Sequence, residues 1–131
     1  MTARAVVLEA LRAVRVDDAY ANLLVPRLVR ALDERDAALA TEMAYGTLRR
    51  QGSLDAVIDA CSARPTIDPA VRDVLRLGSY QLLFMRVPSH AAVSETVELA
   101  KKAGYVVKLL AVCERLTDPA TGEEGVSARV Y

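Results

Sequence analysis

The chain has 131 residues, enough for one domain with a real core and no need of disulfide staples. Its 53% hydrophobic and 26% charged content excludes a disordered polymer. Seventeen basic residues balance seventeen acidic ones, and this zero net charge argues against a non-specific polyanion binder. The charge is nevertheless unevenly spread. Residues 1–16 hold three Arg against one Glu, and residues 17–36 carry Asp17, Asp18, Asp33, Glu34 and Asp36.

Helical spacing of apolar residues dominates the chain, and no segment reads convincingly as a strand. Residues 3–16 form the first predicted helix, with Val6, Val7, Leu8, Leu11 and Val14 as its apolar stripe and Asp17–Asp18 as its stop. The second spans 20–32, where Pro26 predicts a kink or a late start. Asp33 is a good cap for the third, with Asp36 at its third position, and that helix runs to about Arg50. Gly52–Ser53 is expected to break it, with Ser53 capping a short fourth helix over 54–62. After the loop SARPT, Asp68–Pro69 signals the start of a fifth helix over 69–85. Pro88 ends that run, Ser89 or His90 opens a sixth over 89–102, and Gly104 closes it. A seventh is predicted over 105–117, carrying Val106, Leu109, Leu110, Cys113 and Leu116, ahead of a flexible tail over 118–131.

Two glycines fall inside helices, where glycine costs about 1 kcal/mol against alanine. A packing role accounts for them: Ala44–Gly46 and Gly78–Ser79 would let two central helices approach closely. Cys61 and Cys113 lie far apart on apolar stretches and read as buried, reduced thiols of a cytoplasmic protein. No apolar run approaches the roughly 20 residues a membrane-spanning helix needs.

Chemistry-bearing motifs are sparse. His90 is the single histidine and reads as a capping or surface residue. The segment TGEEG at 121–125 follows no strand and does not read as a phosphate loop, and the acidic residues read as helix ends and caps, so neither a cofactor nor a metal is expected. Basic residues offer more. Arg4, Arg12 and Arg15 can share one stripe of the first helix, Arg72 and Arg76 lie one turn apart on the fifth, and Arg49–Arg50 and Lys101–Lys102 end the third and sixth. Few aromatics are available for base stacking, and Tyr20, Tyr45 and Tyr80 lie amid apolar helix and read as core.

The segment LRLGSYQLLFMRVPSHAAVSETVELAK, Leu75–Lys101, closely resembles the central motif of the NusB-like domain that begins bacterial RsmB/Fmu-type ribosomal RNA cytosine-5 methyltransferases. RDAALATEMAYGTLRRQGSLDAVI, Arg35–Ile58, is similar to the same family's ERD-x-ALATE-x-YGTLR helix. ARAVVLEAL and AYANLLVPRLVR resemble its opening helices, so the likeness spans about residues 3–106 in order. The pattern near the family's last helix departs, with Val107 where an Asn would stand. This resemblance implies an all-α, NusB-like bundle of six to seven helices in two packed subdomains, occupying residues 1–117. It implies a non-catalytic RNA-binding module whose methyltransferase domain, with its catalytic cysteines and S-adenosylmethionine, is a separate C-terminal unit. Cys61 and Cys113 match no such cysteine motif. Candidate RNA contacts, chosen by charge and placement, are Arg4, Arg12, Arg15, Arg76, Lys101 and Lys102. Two rival readings accompany it: a NusB-type antitermination factor that binds RNA with a small ribosomal protein, and a protein-interaction module, homodimer included, without RNA affinity.

Overall fold

A computed structural model of the chain describes residues 2–62 and 66–102. The described residues form six α-helices and one short 3-10 turn, with no strand. They divide into two contact units, one ending at Arg49 and the other starting at Arg50. The seventh predicted helix, the tail over 118–131, Val107 and Cys113 lie outside the described residues.

In the first unit, α1 (Ala3–Asp17) starts at Thr2, whose hydroxyl accepts the Ala5 amide at 3.2 Å. It stops at Asp18, which adopts the left-handed conformation (φ 52°, ψ 34°) and sends its own amide back to the Ala13 carbonyl. The second predicted helix is divided in two. α2 (Ala21–Leu28) is followed by a 3-10 turn over Val29–Ala31. Pro26 sits inside α2 and can donate no bond to the preceding turn, and the ladder tightens three residues past it instead of running on as α-helix to residue 32. α3 (Glu34–Arg49) opens with the Asp36 amide on the Asp33 carboxylate at 2.8 Å, as its cap pattern predicts.

α1 packs against α2 and α3. Val6, Val7, Ala10 and Leu11 recur at three- and four-residue spacing and are buried, as are Val25 of α2 and Ala40, Met43 and Ala44 of α3. Tyr45 donates its hydroxyl to the Ala21 carbonyl at 3.3 Å, satisfying the polar tip of a half-buried ring. Tyr20, by contrast, is 74% exposed. It occupies the position just before α2 and so falls off the apolar face that its neighbours suggest.

In the second unit, α4 (Gln51–Cys61) starts three residues earlier than expected and contains Gly52 and Ser53. The break between α3 and α4 is Arg50 itself (φ −103°, ψ 17°). Burial of Leu54, Ile58 and Cys61 on one face outweighs the propensity cost of one exposed glycine. α5 (Pro69–Phe84) has Asp68 as its cap, accepting the Ala70 amide at 2.9 Å, and Pro69 at its first position. Residues 85–88 then lead into α6 (Ser89–Lys102).

α5 packs against both α4 and α6. Its contact with α6 is made close by small residues. Ala92, Thr96 and Ala100 stand one turn apart on α6 and are fully buried, and a Cβ added at Gly78 would lie 3.2 Å from the Thr96 methyl. Gly78 therefore has a packing role, and its neighbour is the helix that follows it. The Gln81 side-chain amide is wholly buried beside it, donating to the Leu77 carbonyl at 3.1 Å and to the Thr96 hydroxyl at 3.0 Å.

Candidate nucleic-acid interface

The first group of candidate contacts lies on α1. At about 100° per residue, Arg4, Arg12 and Arg15 fall within about 80° of one another around the helix, so one face presents all three. Arg12 is pinned locally. Its Nη2 and Nε donate to the Glu9 carboxylate at 2.8 and 3.2 Å, and Asp17 lies 3.6 Å from Nη2. The hydrogen bond from Arg12 holds the Glu9 carboxyl below its ordinary value, against the opposing effect of partial burial. Both side chains are more than 40% exposed, so water screens this pair and it can exchange for a phosphate at small cost.

Lys101 and Lys102 occupy the last turn of α6 and are exposed, with Lys101 3.4 Å from Glu98. Cations here complement the negative end of the helix dipole and stay available to an anion. His90 is exposed in the first turn of the same helix.

Arg76 is placed differently from the expectation that it contacts RNA. Its side chain is 11% exposed and forms a two-pronged clamp on Asp55 of α4, with Nε on Oδ1 at 2.7 Å and Nη2 on Oδ2 at 2.9 Å. Its Nη1 reaches Asp73, a carboxylate 2% exposed, at 3.3 Å. Arg72, one turn earlier, bonds Asp59 at 2.7 Å and Asp55 at 3.3 Å. The hydrogen bond from Arg76 depresses the Asp55 pKa most, partial burial opposes it, and Arg72 adds to the depression. For Arg72, burial works against the charge, but the bonds to Asp59 and Asp55 outweigh it and raise its pKa. These guanidinium donors are committed to carboxylates of their own unit, and the cluster joins α4 to α5.

The carboxylates of this cluster were missed by reading the sequence. The available signal was an acidic pair four residues apart, Asp55 and Asp59, answering a basic pair of the same spacing, Arg72 and Arg76. Arg50 also has a role the sequence does not show. Its guanidinium carbon lies 4.2 Å above the centroid of the Phe84 ring, and Phe84 stacks on Tyr80 with centroids 5.8 Å apart and planes 30° apart.

Among the described residues, no three His, Cys, Asp or Glu side chains are arranged to hold a metal ion, and no helix is long and apolar enough to cross a membrane. Cys61 is fully buried.

Comparison with known proteins matches residues 1–106 to the model of the NusB family. Over 114 residues the chain is 54% identical to a Mycobacterium tuberculosis (strain H37Rv) protein provisionally described as a methyltransferase, covering 79% of this chain and 25% of that protein. It is 38% identical over 104 residues to the ribosomal RNA small subunit methyltransferase B of Pseudomonas putida, covering 78% of this chain and 24% of the relative. The same enzyme of Escherichia coli O1:K1 is 39% identical over 77 residues, or 57% of this chain and 18% of the relative. The chain thus spans about a quarter or less of the length of these relatives. All-helical within its described residues and matched across residues 1–106, the chain belongs to the NusB family, and what it shares with those methyltransferases is their N-terminal NusB-type domain.

Proposed function

We propose that this domain is the non-catalytic RNA-recognition module of a ribosomal RNA cytosine-5 methyltransferase. The carrying observation is that a NusB-family domain is the part the chain has in common with ribosomal RNA small subunit methyltransferases. In this reading the domain supplies binding and orientation of ribosomal RNA, while methyl transfer belongs to a separate S-adenosylmethionine-dependent domain of the same cytoplasmic enzyme. The RNA contacts are Arg4, Arg12 and Arg15 along α1 and Lys101 and Lys102 at the end of α6. Arg76 serves the same function indirectly, by fixing α5 to α4.

The test is binding of the 131-residue chain to small-subunit ribosomal RNA fragments across a salt series. Affinity should fall as salt rises, because each phosphate contact releases counterions. Replacing Arg4, Arg12 and Arg15 together by Ala should weaken binding and reduce the log–log salt slope by about 2, at about 0.7 per contact on single-stranded RNA. Equal affinity and an equal slope in the triple variant would refute the α1 assignment. Absence of binding by the parent chain at low salt would refute the RNA reading.

A further inference from the structure

The arginine contacts above are phosphate-type contacts, and phosphate contacts position RNA without reading or gripping its bases. Base recognition on single-stranded RNA calls for an exposed planar group on which a base can stack. The second unit has one. Phe84, the last residue of α5, keeps 41% of its surface exposed although it is aromatic and the adjoining Leu83 is 45% exposed. Arg50 lies over its ring at 4.2 Å and is itself exposed, and the 4% exposed Tyr80 backs the ring from within the unit. An exposed guanidinium and an exposed ring thus lie against each other, with the ring also stacked on a buried tyrosine.

Charge selects the occupant. Among the described residues no carboxylate pairs with Arg50, in contrast to Arg72 and Arg76. Residues 74–94 include Arg76, Arg86 and His90 and not one Asp or Glu, and Arg86 is exposed two positions beyond Phe84. A ring in a stretch without carboxylates, against a guanidinium that no described carboxylate pairs with, suits a ligand that is both anionic and planar, which is a nucleotide of a single strand.

We infer that Arg50 and Phe84 form a stacking platform for an unpaired base of the bound RNA, with Arg86 meeting its backbone. This rests on the RNA-recognition reading and assigns it a second kind of contact, made to a base and not only to phosphates.

The experiment measures binding of the full chain, Phe84→Leu, Phe84→Trp and Arg50→Ala to a single-stranded small-subunit ribosomal RNA fragment at two salt concentrations, with thermal melts as a folding control. Phe84→Leu keeps an apolar side chain at the helix end but removes the ring that Arg50 lies on, and should weaken binding about 5- to 150-fold, the range for losing one stacked base, with the salt slope unchanged. Phe84→Trp should retain parental affinity, since it preserves a stacking face. Arg50→Ala should weaken binding and also lower the salt slope. A folded Phe84→Leu chain that binds RNA like its parent overturns the platform, leaves RNA recognition standing, and gives the Leu83–Phe84 surface to a protein partner. A parent chain that binds no RNA overturns both readings, and that result is distinct from the previous one.

Discussion

Removing the carboxylate of Asp55 should destabilise the second unit far more than removing that of Asp59, although both pair with arginines of α5. Asp55→Asn removes the charge that accepts both Arg76 bonds, at 2.7 and 2.9 Å, and the longer Arg72 bond at 3.3 Å, and turns one of the two accepting oxygens into a donor that faces a guanidinium. Arg76, 11% exposed, then keeps a charged partner only in Asp73, at 3.3 Å. Hydrogen bonds to charged groups contribute about 1.5–3 kcal/mol, and breaking a fully buried pair costs about 3–5 kcal/mol. Asp55 is 29% exposed and Asp73 remains, so the cost should lie near the lower of these ranges, about 2–3 kcal/mol. Asp59 is 62% exposed, and a pair so open to water contributes under about 1 kcal/mol. Urea unfolding followed by circular dichroism, with amide exchange across α4 and α5, separates the two. For a slope of about 1–3 kcal/mol per molar urea, the Asp55→Asn midpoint should fall by roughly 1 M or more, and the Asp59→Asn midpoint by well under half as much. A double-mutant cycle with Arg76→Met should return a coupling of about 1–3 kcal/mol. Equal small effects of the two substitutions, or a coupling near zero, would refute this account of what joins α4 to α5.

Three other outcomes follow from the geometry. Gly78→Leu must place a side chain where a single Cβ already stands 3.2 Å from Thr96, so overpacking of about 1–3 kcal/mol should exceed the roughly 1 kcal/mol gained in helix propensity and lower the melting temperature. Gly52→Ala, with nothing within 4 Å of its Cβ, should instead raise stability by about 0.4–1 kcal/mol. As for pH, Asp55 has a folded pKa below its ordinary 3.8, so its stabilisation is present above that value and is lost as pH falls through the lower folded one. Urea midpoints measured from pH 7 to 2.5 should decline below about pH 4, and Asp55→Asn should make that decline shallower.

The caps were legible because they are local. Asp33 with Asp36, and Asp68 with Pro69, depend on side chains and amides a few residues apart, and each helix begins where that pattern places it. Gly52–Ser53 misled for a related reason: glycine and serine read as a break, but Leu54 and Ile58 hold the turn in helix through burial that no local pattern records. Of the predicted apolar stripe of α1, Val6, Val7 and Leu11 are buried, while Leu8 and Val14 lie at its half-exposed margins. The clamp on Asp55 was not legible, since Arg76 declares its charge in the sequence and its partner only in three dimensions. Phe84 stayed hidden too. α5 buries Val74, Leu75, Leu77 and Tyr80, so an apolar residue at its end looks like more of the same face until the exposure is seen.

The ladder of Asp55 and Asp59 against Arg72 and Arg76 also acts as a ratchet. Both pairs repeat at one helical turn, so sliding α4 along α5 by one turn, about 5.4 Å, would leave one acid and one base without a counterpart, and half a turn would unseat all four. Arg50, just ahead of α4, and Phe84, at the end of α5, form a second peg at a different height along the same two helices. Two pegs fix both the sliding position and the crossing angle of a helix pair, which one cannot do. The sliding that would break the ladder would also carry Arg50 off its ring, so the accuracy of the outer surface is inherited from charges that never reach it.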